Sequence, residues 1–315
     1  MRIDVLALDG VFDTGLAAVL DVFATANELS EGAAPLHVRV VGLRRRVRTD
    51  RGLLVPVAPA GKGGTPDVVF APALGTKTPE KLGAALERRD VQDAVEHLRE
   101  RGSGGARLAA ACTGTFMLAA SGALDGRAAT TTWWLAPFFR QLYPQIELDE
   151  ARMLVPAGKV VTAGAALAHL DLALWLLRQH SPAAASVVAR YLMIDARPSQ
   201  APYVIPDHLA HADPLIERFE RWARARMAHG FSLTDAARAA GASERTLARR
   251  LQRVLGKTPL SYFEDLRVER AVHRLRTSRA SVDTIATEVG YVDGVTLRTL
   301  LRRKLGRGVR ELRGR

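Results

Sequence analysis

The sequence predicts an α/β domain, with a parallel sheet covered by helices on both faces, followed by an all-α domain built on two helix-turn-helix units. Three observations predict it. Over the first 195 residues, short apolar runs alternate with helical patterns, and such alternation implies parallel strands joined by crossover helices. In the last hundred residues one sequence pattern occurs twice. Charge is also segregated: residues 1–216 carry 22 Lys+Arg against 22 Asp+Glu, whereas residues 217–315 carry 23 against 11, the whole of the +12 excess.

The elements follow in order. Ile3–Leu8, Val38–Leu43, Val68–Ala71 and Leu108–Ala111 read as buried strands. Thr14–Leu29, Glu80–Arg101 and Thr115–Ala120 read as helices. Leu154–Thr162, with Pro156, Gly158 and Lys159 at its centre, reads as a hairpin, and Ala165–Arg178 and Ala183–Ile194 as two further helices. The turn-rich Arg197-Pro198-Ser199-Gln200-Ala201-Pro202 and Ile205-Pro206 break the pattern, which places a linker over 197–212 between domains 1–196 and 213–315. A chain of 315 residues suits two domains at ~100–200 residues each.

Composition excludes several classes. Cys112 is the single cysteine, so there is no intramolecular disulfide framework and no cysteine-based zinc cluster; a cytoplasmic location fits. Asp4 and Asp9 interrupt the N-terminus where a signal peptide needs an apolar stretch. The longest uncharged stretch, Leu108–Leu124, falls short of the ~18–20 apolar residues of a membrane helix, so no membrane partner is expected. Neither cofactor nor metal is expected. Gly61-Lys62-Gly63-Gly64 lacks the spacing of a phosphate loop. His208 and His211 pair at ligand spacing beside Asp207 and Asp213, without the further ligands a metal needs.

The repeat has the physics of a helix-turn-helix. Ala237 and Gly241 match Ala286 and Gly290 at an offset of 49; Leu247, Leu251, Arg253, Leu255 and Gly256 match Leu297, Leu301, Arg303, Leu305 and Gly306 at 50. Ser232 with Asp235 resembles a capping box, Gly241 permits the tight turn, and Ser243 is a good N-cap. At 3.6 residues per turn, Leu247, Leu251 and Val254 share one face. Ser243, Arg245, Thr246, Arg249, Arg250, Gln252 and Arg253 lie on or beside the other. In the second copy Leu297, Leu301 and Leu305 point inward, leaving Val295, Thr296, Arg298, Thr299, Arg302 and Arg303 outward. Such a face suits the major groove of double-stranded DNA, where Arg bridges guanine O6 and N7 and Thr or Gln bonds other base edges. An ordinary amphipathic helix would also carry a charged outer face; repetition, glycine turn and charge segregation together favour DNA. Leu260–Arg276 reads as one connecting helix of ~27 Å at ~1.5 Å per residue, comparable to the ~34 Å between successive groove faces.

Ser243–Arg250 with Leu251, Gly256-Lys257-Thr258-Pro259, Leu266-Arg267, Arg270-Ala271, Ile285-Ala286 and Val289-Gly290-Tyr291 resemble the DNA-binding domain of AraC/XylS-family regulators over roughly residues 213–315. That family usually places Phe at Leu297 and Leu301 and Pro near Val309; Leu for Phe keeps an apolar core.

In the first domain, Arg107–Ala120 reads as strand, sharp turn and helix, with Cys112 on the turn and Gly114 relieving crowding. That is the pattern of a nucleophile elbow, where a thiolate gains from the positive end of the following helix. A lone cysteine is as often a small buried apolar residue, and position alone leaves both readings open. Ala109–Leu124 with Asp125-Gly126-Arg127, Ala129–Trp133, Val161–Gly164 and Leu170–Leu174 resemble the DJ-1/PfpI, or class I glutamine amidotransferase-like, domain fused to AraC-type modules in GlxA-like regulators. The resemblance implies a flavodoxin-like parallel sheet. Many relatives have His in a Thr-Thr-His-Trp segment; here Thr132 stands in its place, and threonine is no base near neutral pH. His169 with Asp171 lies in an apolar helix and reads as a packed residue. Asp9 and Asp13 fall where acidic residues approach the elbow in relatives, and Asp13 could equally cap the next helix. The expectation is a sensing pocket around Cys112, Thr113, Asp9, Asp13 and Thr132 that binds a small-molecule effector without catalysis. The implied regulator binds promoter DNA as a homodimer, with RNA polymerase a further candidate partner. The alternative is a DJ-1-class cysteine enzyme, hydrolase or hydratase, with an accessory DNA module.

Overall fold

Strands buried on both faces need apolar residues at nearly every position, and the first unit largely has them; one exception, Asp4, is a buried carboxylate paired with Arg39 at 2.8 Å. Ile3, Val5 and Phe70 join one hydrophobic cluster, while Leu6, Val69 and Ala71 join another on the opposite face. The computed structural model describes residues 1–29, 35–62, 64–204 and 213–313. It contains two compact units, Met1–Gln200 and Ala201–Arg315. The His208/His211 pair and the second half of the expected linker, 205–212, lie outside the described residues.

The first unit runs β1 (Arg2–Leu6), α1 (Asp13–Leu29), β2 (His37–Gly42), β3 (Arg46–Arg48), β4 (Leu54–Pro56), β5 (Ala58–Pro59), β6 (Val68–Ala71), α2 (Pro79–Leu86), α3 (Arg89–Ser103), β7 (Arg107–Ala111), α4 (Gly114–Ala120), β8 (Ala128–Ala129), α5 (Ala136–Leu142), β9 (Glu147–Leu148), β10 (Leu154–Ala157), β11 (Val160–Ala163), α6 (Ala168–His180) and α7 (Pro182–Tyr191). The main sheet has the order β10-β11-β7-β6-β1-β2-β5. Every neighbouring pair in it is parallel except β10 with β11. The central strands β2-β1-β6-β7-β11 therefore follow the flavodoxin-like order, with its switch point between β1 and β6. Helices α1, α6 and α7 cover one face; α2 to α5 cover the other.

Two expectations change. The helix expected over Glu80–Arg101 is two helices, because Arg88 is extended (φ −64°, ψ 141°). Its guanidinium there bonds Asp90 at 2.7 Å and the Asp9 carbonyl at 2.5 Å. The arm β3–β4 was not foreseen, since its three-residue strands are too short to show a period.

At the switch point His169, on the first turn of α6, is fully buried. Its Nε2 accepts the Ala73 N–H at 3.1 Å, and its Nδ1 donates to the Ala166 carbonyl at 2.6 Å. Gly15 of α1 lies against the ring: a Cβ there would sit 2.6 Å from Nε2. Burial lowers the His169 pKa to about 4. The ring is neutral, as a packed helix residue should be.

The second unit is helical: α8 (Pro214–Ala225), α9 (Leu233–Ala240), α10 (Glu244–Leu255), α11 (Pro259–Thr277), α12 (Val282–Glu288), α13 (Gly294–Leu305) and α14 (Val309–Leu312). Ser232, Ser243 and Ser281 cap α9, α10 and α12 by accepting N–H bonds from Asp235, Thr246 and Thr284. Asp293, which sequence reading did not single out, caps α13 from Thr296 at 2.7 Å. Leu247, Leu251 and Leu255 are buried in α10, and Leu297, Leu300 and Leu301 in α13. Val254 and Leu305, expected inward, are half-buried, because the inward row drifts around a 3.6-residue helix.

Arg267 of α11 joins the halves of this unit. It donates to the Met227 carbonyl at 2.9 Å and to the His229 carbonyl, and stacks over Phe263 and Tyr291 at 4.5 and 5.1 Å. Gly290 lies beneath it, left-handed at φ +82°.

Two outcomes are expected. Between pH 6.5 and 4 the unfolded chain binds a proton at His169 that the folded chain refuses. Stability should therefore rise with pH across that window and level off above it, by on the order of 3 kcal/mol. Subtracting the His169→Gln curve from the wild-type urea-unfolding curve should isolate this slope; identical slopes would refute it. In the second unit, an alanine Cβ at Gly241 meets nothing, whereas one at Gly290 meets the Met227 carbonyl and Arg267. Gly241→Ala should cost about 1 kcal/mol and Gly290→Ala about 3 kcal/mol, measured by thermal unfolding; equal losses would contradict the close approach.

Candidate functional site

The face expected to read DNA is built from α10 and α13. Ser243, Arg245, Arg249, Gln252 and Arg253 are exposed on α10, with Thr246 half-buried; Val295, Thr296, Arg298, Thr299, Arg302 and Arg303 are exposed on α13. Arg250 differs. It is half-buried and ion-paired to Asp213, a buried carboxylate that also caps α8 through the Leu215 N–H at 2.9 Å. Desolvated Asp213 needs that cation, so Arg250 turns aside from the outer face. Between α8 and α10 lies a cavity of about 320 Å³ lined by Arg218, Thr246, Arg249, Arg250 and Arg253. Its arginines suit phosphate oxygens.

Helices α10 and α13 share one bracket. Asp265, on α11, accepts Lys257 Nζ at 2.8 Å and Lys304 Nζ at 2.9 Å. Lys257 follows the end of α10, and Lys304 lies in the last turn of α13. Spacing between the copies is thus set by α11, which at 19 residues spans ~28 Å.

In the first unit, the chain turns sharply after β7. Cys112 is left-handed at φ +56°, a strained conformation for a residue with a side chain. The strain is held by bonds on both sides: Cys112 N–H donates to the Ala163 carbonyl at 2.9 Å, and its own carbonyl accepts the Thr131 hydroxyl at 2.8 Å. Thr113 donates its hydroxyl to the Leu74 carbonyl at 2.8 Å. Gly114 is required, since a Cβ there would overlap the Ala71 and Pro72 carbonyl oxygens. This is the geometry of an elbow.

The electrostatics are not those of a nucleophile. The thiol is buried, and desolvation pushes its pKa up to about 12. Of the two readings the sequence left open, burial favours the small buried apolar residue, since desolvation outweighs what a thiolate would gain from the following helix. Thr132 lies beside the thiol and favours its ionised form only weakly; its hydroxyl is buried without a full hydrogen bond. His169 is locked between Ala73 and Ala166 and offers no base.

Cys112, Thr113 and Thr132 come together at the elbow; the carboxylates of Asp9 and Asp13 are taken by the arm β3–β4. Asp9 accepts the Arg48 N–H at 2.9 Å and Arg44 at 3.0 Å. Asp13 accepts the Thr49 hydroxyl at 2.5 Å and the Arg51 N–H at 3.1 Å, so it anchors the arm across α1.

Sequence reading missed Gln200. Residues 197–200, assigned by their turn-rich composition to the linker, pack on the first unit. Arg197 pairs with Asp171 at 2.5 Å. Gln200 is fully buried against Gly164; its amide donates to the Thr131 carbonyl at 2.8 Å and the Thr130 hydroxyl at 3.2 Å. The segment leaving this unit thus rests on the residues that hold the elbow. Nothing in the spacing or composition of Pro198-Ser199-Gln200-Ala201-Pro202 signals this.

Alkylation of Cys112 by iodoacetamide at pH 8 should be at least ~100-fold slower in the native chain than in urea, because the thiolate fraction falls with so high a pKa. The native rate should still be climbing at pH 10. A plateau near pH 8 would contradict the burial.

Comparison with known proteins bears on the same residues. Residues 1–179 match the model of the DJ-1/PfpI family, and residues 236–315 match that of a helix-turn-helix domain. The HTH-type transcriptional regulator GbdR of Pseudomonas aeruginosa is 24% identical over 292 residues, covering 91% of this chain and 77% of its own. The HTH-type transcriptional regulator GlxA of Rhizobium meliloti is 26% identical over 213 residues, covering 66% of this chain and 65% of its own. The crystal structure of an AraC family transcriptional regulator from Pseudomonas putida has the same fold over the first unit, with TM-score 0.52 at 20% identity, covering 61% of this chain and 98% of that one. Sheet order, elbow and repeated helices agree with these matches: the chain belongs to the DJ-1/PfpI family, in the arrangement that carries an AraC-type helix-turn-helix domain at its C-terminal end.

Proposed function

We propose that this protein is a sequence-specific DNA-binding transcriptional regulator, controlled by a small molecule bound in its DJ-1/PfpI domain. One observation carries the reading: two capped, arginine-rich reading helices, each behind a short helix and a glycine turn, are fixed to a single connecting helix. The names of its relatives, GbdR and GlxA among them, agree with it. Arg245, Arg249, Gln252, Arg298, Thr299 and Arg302 are the base readers in this proposal. Arg250, Arg253 and Arg218 take phosphates, with Arg250 steered by Asp213. Homodimer formation, a contact with RNA polymerase and a cytoplasmic location belong to the same proposal. Among the described residues no helix is long and apolar enough to cross a membrane.

The strained elbow favours a second reading, a cysteine hydrolase or hydratase. Three features weigh against it: the thiol's raised pKa, Thr132 in place of a base, and the locked His169. In the sensor reading the elbow has another use. Its neighbours Thr130 and Thr131 are bonded to Gln200, so a ligand that shifts them would act directly on the segment leading toward the DNA-binding unit.

Selection from a random duplex pool by the full chain should yield a preferred site. Affinity for it should fall steeply with salt as arginines displace counterions. Arg249→Ala should cost ~1–3 kcal/mol on the selected site and less on random duplex. Equal losses on both would reassign Arg249 to phosphate contact, and the absence of any enriched site would remove the regulator reading.

A further inference from the structure

Between the loop after β1 and the arm β3–β4 lies an open cleft of about 480 Å³, lined by Asp9, Gly10, Arg46, Arg48, Thr49, Leu54 and Arg88, among others. It lies at the C-terminal end of β1, beside the switch point, where ligands of open α/β sheets bind. Its size suits a small molecule.

The cleft is rich in guanidinium groups. Residues 44–51 read Arg-Arg-Arg-Val-Arg-Thr-Asp-Arg, a run of net charge +4 in a segment, 1–216, whose other charges sum to −4. The carboxylates at its rim are matched: Asp9 by Arg44, Asp50 by Arg51 and Asp90 by Arg88. Asp13, beneath the arm, accepts the Thr49 hydroxyl and the Arg51 N–H. Arg46 and Arg48 form no ion pair among the described residues.

Donors also remain free where they face the cleft. Arg88 is held at Nε and Nη2 by Asp90 and the Asp9 carbonyl. Its Nη1 carries no bond and lies over Gly10, 3.5 Å from where a Cβ would stand. Arg48 spends Nη1 on the Gly52 carbonyl at 3.1 Å and keeps its other donors. A fixed guanidinium with one open nitrogen, beside two arginines lacking counter-charge, suits an oxyanion, and Arg48 offers it the forked Nε and Nη2 pair that arginine favours.

We propose that this cleft binds a small molecule through its carboxylate or phosphate group, held by Arg46, Arg48 and Arg88. The site deepens the sensor reading and rests on it for its regulatory consequence. It is distinct from the elbow pocket: of the residues expected there, only Asp9 lines it. Through the bridge between Val11 and Leu74 and the Thr113 bond to Leu74, an anion here would nonetheless touch the loops that hold the elbow.

The test is direct binding to the full chain, without DNA, by titration calorimetry with succinate and with inorganic phosphate, against sodium chloride at matched ionic strength. Saturable binding of either probe is expected. Phosphate alone would select phosphorylated ligands, and succinate alone carboxylates. The double variant Arg46→Gln/Arg48→Gln, at exposed positions, should weaken it at least ~10-fold; Arg46→Lys/Arg48→Lys, which keeps the charge and loses the fork, should fall between. Arg178→Gln, at an exposed position on α6, should bind the probe as the wild type does. Binding no better than with chloride, or loss in Arg178→Gln with retention in the double variant, would overturn the proposal. Anion binding that leaves affinity for the selected duplex unchanged would instead overturn the sensor reading and leave the site standing.

Discussion

The hydrogen bond from the Ala73 N–H to His169 Nε2 organises the functional end of the first unit. It fixes the loop after β6, and that loop fixes its neighbours. The Ala73 carbonyl accepts the Phe12 N–H at 2.8 Å, Val11 bridges to Leu74, and the Leu74 carbonyl takes the Thr113 hydroxyl. Three loops, after β1, β6 and β7, are thereby tied to one imidazole. The ring serves only as a neutral acceptor, which is why burial that would cripple a catalytic base suits it here. Gly15 and Gly114 supply the close approaches, each at a point where a methyl group would collide.

The helical unit meets a different constraint. Two similar halves must hold a fixed separation, and short amphipathic helices cannot do this alone. The connecting helix α11 does it with two charged residues. Asp265 gathers a lysine just past the end of α10 and another from the last turn of α13, and Arg267 gathers the carbonyls after α8 and the turn around Gly290. The halves are alike in sequence pattern and unlike in support: Gly241 turns in open space, while Gly290 turns beneath a guanidinium.

Much of this was legible in the sequence. Both-face apolar strands and 3.6-residue periodicity exposed the sheet, its helices and the tandem repeat, and the family resemblance placed the elbow at Cys112. The illegible part has a common physical cause. The arm β3–β4, the break at Arg88, the Asp213–Arg250 pair and the seat of Gln200 depend on partners far away along the chain, where local periodicity carries no information. Cys112 is the sharpest case: its position on the turn was readable, but whether solvent reaches the sulfur is set by packing from Thr132 and its surroundings. Asp9 and Asp13 were placed just past the first strand, but the arm that bonds both carboxylates is too short to recognise in the sequence.

The seat of Gln200 has a consequence for how such proteins are assembled. Where a connecting segment is merely a tether, modules can be exchanged at any point within it. Here the first four residues beyond the expected boundary pack on the α/β domain, and the last of them, Gln200, is buried in it. A chimaera that joins this DNA-binding unit to a different sensor, or this sensor to a different output, would have to be cut after Gln200. A junction at Arg197 would strip the donor domain of a buried amide and leave the Thr131 carbonyl and the surface of Gly164 uncovered.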